Sequence, residues 1–167
     1  MNRTQFADVA CSIARATDLF GDPWMALIMR DVFLGVTRFD DLIEDLGISR
    51  KILAGRLARL VEEGVLVREP YQAHPPREHY RPTEKGKQLY PVLLALMAWG
   101  DRWYSAETGP PARIQHLGCG RDTTPVAACA HCGGDLTVDN TIQLPGPGGK
   151  AGPGTRLIAA LLAAREA

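Results

Sequence analysis

Apolar positions along the chain repeat first with a helical and then with a strand rhythm, and the change falls within residues 38–81. Phe39, Leu42, Ile43 and Leu46 recur at offsets of three, four and seven, which predicts an amphipathic helix stopped by Gly47. Ser49 stands where it can cap a second helix, on which Leu53, Leu57 and Leu60 share a face and Gly64 supplies the stop. Two short helices with so brief a joint read as a helix-turn-helix, whose second helix is built to lie in a DNA major groove. Val65 to Tyr71 then reads as a strand, Gln72 to Pro76 as a turn, and Arg77 to Arg81 as a return strand. Arg77, His79 and Arg81 alternate with Glu78 and Tyr80, so one face of this ribbon is basic. Such a hairpin after a recognition helix is a wing, suited to a minor groove or the phosphates beside it.

The flanks supply a scaffold. The spacing predicts a helix over 6–20 with Val9, Ile13, Ala16 and Phe20 on one side. Asp22 and Pro23 open another as N-cap and first residue, with Trp24, Leu27, Ile28 and Val32 as its buried face and Leu34-Gly35 as its end. Downstream, Thr83 can cap a helix continuing to about Trp103, along which Leu89, Leu93, Leu96, Gly100 and Trp103 form a stripe. Val92, Met97, Trp99 and Tyr104 widen that stripe, which predicts burial against a second copy of the chain; packing within the monomer is the alternative. Pro91 either kinks this helix or separates a short one from a longer one.

The face opposite the leucines narrows the chemistry. Lys51, Ala54, Gly55 and Ala58 point away from Leu53 and Leu57, with Arg50 and Arg59 on the flanks, and residues 49–61 hold no acid. A bland solvated helix mixes both signs and avoids glycine, which costs roughly 1 kcal/mol relative to alanine in a helix interior. Small side chains between basic ones let a backbone approach a bulky anion such as DNA. Arg56 lies nearer the buried edge, where a salt bridge within the domain is as reasonable as a phosphate contact. The expected contacts are Arg38, Ser49, Arg50, Lys51, Ala54, Gly55, Ala58 and Arg59, joined by His74 and Arg77 from the wing. Arg50 and Arg59 are assigned to phosphates. Formal net charge is zero over 167 residues, so whole-chain charge offers no help; Asp40, Asp41, Glu44 and Asp45 are confined to the preceding helix. Hydrophobic content of 46% is that of a globular protein, and the apolar run from Pro91 to Gly100 is far too short to span a membrane. Cytoplasmic residence is expected, since Asp8 and Arg15 interrupt any leader-like apolar core.

Together, Cys11 to Trp24, Arg38-Phe39, the Gly47-to-Leu53 turn, Leu57 to Val65 and Tyr80-Arg-Pro-Thr-Glu-Lys-Gly86 resemble the HxlR-type branch of winged-helix bacterial transcription regulators, within the MarR-like superfamily. The resemblance covers about residues 6–104. It implies a homodimeric regulator on a pseudo-palindromic operator of double-stranded DNA, open to a small-molecule or oxidant effector. It places the helix-turn-helix on residues 38–64 and the wing on 65–82. A cysteine at the place of Cys11 often senses oxidants in that family; the other reading of Cys11 is a small buried apolar residue.

After Tyr104 the composition changes. Thr108-Gly-Pro-Pro111 is a linker, and His116-Leu-Gly-Cys119 is followed by Cys129-Ala-His-Cys132, each knuckle ending in Cys-Gly. His116, Cys119, Cys129 and Cys132 have the donor types of a structural Zn2+ site, with His131 as substitute for His116. An unmetallated ribbon and a disulfide stay open. The expected architecture is mainly α with a small β-ribbon wing: a winged helix-turn-helix over 1–105, a zinc-ribbon-like annex over 106–145, and a Gly/Pro linker with a closing helix over 146–167. In that helix Thr155 would be the cap and Leu157, Ile158, Leu161 and Leu162 the apolar face.

Two rival functions are weighed. The Cys129/Cys132 spacing suits a thiol-disulfide oxidoreductase, but that chemistry wants the first cysteine at a helix start within a βαβ unit. Here a Gly-Gly pair and the alternation of Leu136 and Val138 predict a hairpin instead, so no enzyme is expected. A winged helix can also bind only protein; the basic helix face and wing argue against that.

Overall fold

A computed structural model describes residues 6–165. The chain divides into two compact units, Leu27–Ala127 and the segments on either side of it, the division falling within one helix.

In the larger unit, helix α2 (Pro23–Phe33) leads into α3 (Phe39–Leu46) and α4 (Arg50–Glu62). Asp22 begins α2 as expected, its Oδ1 accepting from the Trp24 amide at 3.0 Å. The buried face of α2 is rotated from the expected one: Met25, Ile28, Met29 and Val32 are buried, whereas Trp24 is half-buried and Leu27 is 36% exposed. Offsets of three and four from the first residue occur in both sets; methionine, long and unbranched, fills the core where tryptophan and leucine were expected. Arg30 links α2 to α3, donating to the buried Asp31 carboxylate at 2.7 Å and reaching Asp45 at 3.4 Å. Burial raises the Asp31 pKa first of all, with Arg30 acting against it.

Gly47 ends α3 in the left-handed conformation at φ 61°, which favours glycine, and buried Ile48 pins the turn. Ser49 then caps α4, its Oγ accepting from the Ile52 amide at 3.3 Å. Leu53, Leu57 and Leu60 are fully buried. Each contributes roughly 1.5–3 kcal/mol by leaving water.

Strands β1 (Leu66–Gln72) and β2 (Arg77–Pro82) pair antiparallel, Leu66 opposite Pro82 and Arg68 opposite Tyr80, with an irregularity between Pro70 and Gln72. The segment before α3 adds a bridge to this ribbon, since the Tyr80 amide donates to the Thr37 carbonyl at 2.8 Å and Arg38 bridges His79. Beyond β2, Thr83 caps the four-residue helix α5 (Glu84–Lys87) and returns its hydroxyl to the Gly64 carbonyl at 2.7 Å, while Lys85 donates to the Glu63 carbonyl at 2.6 Å. The carbonyls of the two residues that follow α4 are thereby satisfied, while the amides of Glu63, Val65 and Gly64 serve those of Arg59, Leu60 and Val61 within it. Gly86 is buried, and a Cβ there would overlap the Val65 carbonyl oxygen, so the Thr83-to-Gly86 stretch tolerates no larger residue at its last position.

The long helix expected from Thr83 is in fact two. It breaks at Gln88–Leu89 and resumes as α6 (Tyr90–Tyr104) with Pro91 in the first turn, where its missing N–H is harmless. Phe33 of α2 meets Tyr90 edge-on at 5.1 Å. No α6 residue is fully buried, and Val92, Leu96, Trp99, Trp103 and Tyr104 are more than half exposed. A short hairpin, β3 (Ile114–His116) and β4 (Arg121–Thr123), closes this unit.

The smaller unit holds α1 (Ser12–Phe20), the Cys129–Cys132 turn and α7 (Arg156–Ala163). The helix expected over 6–20 is shorter: residues 6–11 form turns, in which the Phe6 amide donates to Asp18 and the Cys11 amide to the Val9 carbonyl. Ile13, expected inside, is 71% exposed. Leu136 and Val138 form no strand; a single bridge, Ala128 to Asp135, is all that remains of the expected hairpin, because Asn140 draws the chain into a turn through the Thr137 amide and the Asp135 carbonyl. Thr155 precedes α7 without capping it; its hydroxyl donates to the Lys150 carbonyl instead. Leu157, Ile158 and Leu161 are exposed.

Candidate nucleic-acid interface

The leucine stripe that buries one side of α4 turns Arg50, Lys51, Ala54, Gly55 and Ala58 to solvent. Gly55 has open space where a Cβ would stand, so the small side chains leave this face of the helix low and uncrowded. Arg56 and Arg59 sit half-buried at its edges. Lys51 makes no ion pair among the described residues. A cation without an internal partner is the one that gains most from a phosphate.

The other arginines of the interface are engaged. Arg50 pairs with Asp40 at 2.9 Å and lies over the Phe39 ring at 5.0 Å. Arg38 donates from Nε to the Tyr71 hydroxyl at 2.9 Å, stacks over that ring at 5.1 Å and approaches Asp41 at 3.9 Å. Tyr71 in turn packs on His79 at 4.4 Å between centroids, and His79 Nδ1 shares a 2.8 Å hydrogen bond with the Thr37 hydroxyl. Thr37, His79, Tyr71 and Arg38 therefore tie the wing to the start of α3. This sets the angle at which wing and recognition helix meet a ligand.

The wing is less basic than the alternation suggested. His79 turns inward to Thr37, Arg81 pairs with Glu69 at 2.7 Å and Arg68 approaches Glu78 at 3.8 Å. Cross-strand acids explain the difference, since diagonal neighbours on a ribbon lie within reach of long side chains. Arg77 and His74 stay exposed near the turn. Between the wing and the starts of α3 and α4 lies a groove of about 400 Å³, walled by Phe39, Asp40, Arg50, Tyr71, Arg77 and Tyr80 among others. Asp40, Phe39, Tyr71 and Thr37 were invisible as site residues in the sequence. No periodicity links Asp40 to Arg50, because their contact depends on how α3 crosses α4.

Cys11 precedes α1 and is half-buried. In the annex, His116 Nδ1 lies 3.4 Å from Cys119 Sγ across a turn in which the Gly120 amide donates to the His116 carbonyl. In the other unit, the amides of Cys132 and then His131 point at the Cys129 sulfur, and with the Cys132 side chain they hold its thiol below the ordinary value. Cys129 opens a turn instead of a helix. Among the described residues, no group of three or more His, Cys, Asp or Glu side chains is gathered around a possible metal position. No helix among them is long and apolar enough to cross a membrane.

Comparison with known proteins agrees with this geometry. The sequence pattern of the HxlR-like helix-turn-helix family matches residues 19–108. The HTH-type transcriptional regulator Rv3095 of Mycobacterium tuberculosis is 44% identical over 140 residues, which is 84% of this chain and 89% of that protein. The regulator sll1512 of Synechocystis is 35% identical over 59% of this chain and 73% of its own length. Among solved structures, PA1607 superimposes with a TM-score of 0.75 at 36% identity, covering 84% of this chain and 98% of that one. The oxidized redox regulator HypR superimposes with a TM-score of 0.53 at 27% identity, covering 57% and 100%. The chain belongs to the HxlR-like helix-turn-helix family and is a DNA-binding transcription regulator of winged-helix fold.

Proposed function

We propose that the protein is a homodimeric repressor that binds a pseudo-palindromic operator, with α4 in the major groove and the wing beside it. The observation that carries this is the two-sided character of α4: leucines fully buried on one side, Lys51 and a run of small residues exposed on the other. Lys51, Ala54, Gly55 and Ala58 face the major groove, where Lys51 meets a phosphate; Ser49 holds the helix start, Arg38 and Arg59 flank the duplex, and Arg77 and His74 act from the wing. The exposed aromatic and aliphatic residues of α6 supply the dimer contact. Selection from random duplexes by the purified protein tests the reading. An inverted repeat with half-site centres about one turn, roughly 34 Å, apart is expected. A single unrepeated half-site, with a monomer on sedimentation, would remove the dimer; no enrichment would remove sequence-specific binding.

Two further assignments accompany it. Cys11 is the thiol through which an oxidant lowers operator affinity, a reading supported by its half-buried place before α1 and by the likeness to HypR. Diamide treatment should weaken wild type and spare Cys11→Ser; an equal loss in both would reject the assignment. His116, Cys119, Cys129 and Cys132 are the ligand set for a structural Zn2+, a reading supported by their donor types and by a turn at His116–Cys119 and another at Cys129–Cys132. Metal analysis of protein purified without added zinc should find one equivalent per chain; a folded, metal-free product would refute it.

A further inference from the structure

Arg50 is the first residue of α4, the position from which a recognition helix reaches base edges. Its sequence context suggests a phosphate grip, but its surroundings suit another task. The first turn of α3 meets the guanidinium from two directions: Nη1 lies 2.9 Å from Asp40 Oδ1, and Cζ lies over the Phe39 ring, 5.0 Å from its centroid. The side chain is nevertheless 69% exposed. Of the five donors in the guanidinium fork, those not facing Asp40 remain open to the outside.

A phosphate oxygen accepts from an arginine over many directions, and a neighbouring carboxylate only adds repulsion. Guanine is different. Its O6 and N7 form a planar pair of acceptors in the major groove that needs both prongs of a fork in one orientation. A carboxylate and a ring that hold the fork before DNA arrives reduce the rotamer freedom lost on contact. The exposed small residues beyond Arg50 (Ala54, Gly55 and Ala58) let the helix come close enough for such a contact.

We propose that Arg50 reads a guanine in each half-site through its major-groove edge, with Asp40 as the positioning residue and Phe39 as the supporting platform. The proposal rests on the DNA-binding reading of α4 and replaces the phosphate role expected for Arg50 from sequence.

Selection from random duplexes, followed by affinity and salt titration on the selected site, tests it with wild type, Arg50→Lys, Arg50→Ala and Asp40→Asn, each checked for native circular dichroism. In wild type, one half-site position should demand guanine, replacement there costing about tenfold or more. Arg50→Lys, which keeps the charge, and Asp40→Asn should both flatten the preference at that position alone. The salt slope in those two variants should stay as in wild type. If instead Arg50→Ala and Asp40→Asn keep every base preference and Arg50→Ala lowers the salt slope by about one, Arg50 is a phosphate clamp. The guanine proposal then fails while DNA binding by α4 stands. No enrichment by wild type would overturn the binding reading itself, and this proposal with it.

Discussion

Replacing Leu57 by alanine is expected to destabilise the protein by about 2–5 kcal/mol, the usual range for emptying a fully packed leucine site. Leu57 is fully buried between Leu53 and Leu60, which are equally enclosed. Ile48 at its entry, the Ser49 cap, and the Thr83 and Lys85 bonds just past its exit also hold α4 in place. The loss should appear as a lower urea midpoint with an unchanged slope. Leu57→Met conserves most of the volume and should cost under about 1.5 kcal/mol. A Leu57→Ala protein as stable as wild type would mean that the stripe does not anchor the helix.

The second large effect is on binding alone. Ala58→Glu places a carboxylate in the middle of the small-residue face of α4, where the side chain is exposed and Glu62 at i+4 opposes it by only roughly a few tenths of a kcal/mol. Stability should stay within about 0.5 kcal/mol, as for most surface substitutions. Operator affinity should fall about a hundredfold or more, since a like charge set against DNA costs several kcal/mol. Fluorescence anisotropy with a labelled operator measures the drop. Affinity equal to that of wild type would place the duplex elsewhere on the protein.

Much of the fold could be read from the sequence wherever a local rule and the core agree. Gly47, Ser49 and Gly64 mark their helix ends because a left-handed residue or a hydroxyl cap is a short-range requirement. The leucine stripe of α4 follows from periodicity alone. Pro91 marked the place of a break, and the chain used the break instead of a kink. Reading failed where two segments compete for the same bond. Thr155 gave its hydroxyl to Lys150 instead of α7, and His79 left the wing face for Thr37.

The interface divides in the same way. Lys51, Ala54, Gly55 and Ala58 are legible because exposure on a helix follows from its phase. The partners of Arg38 and Arg50 are not, since Tyr71 and Asp40 reach them only through the packing of wing and helices. The charge of the wing was overread for a related reason. Strand alternation assigns side chains to faces, whereas Glu69 reaches Arg81 along a diagonal of the ribbon.

The most direct measurement is the salt dependence of operator binding by wild type and Lys51→Ala. With α4 against the phosphates, log affinity should fall linearly with log salt, and loss of the unpaired Lys51 charge should reduce the slope by about one counterion. A slope near zero for wild type, or identical slopes and affinities for the two proteins, would contradict DNA recognition by the outward face of this helix.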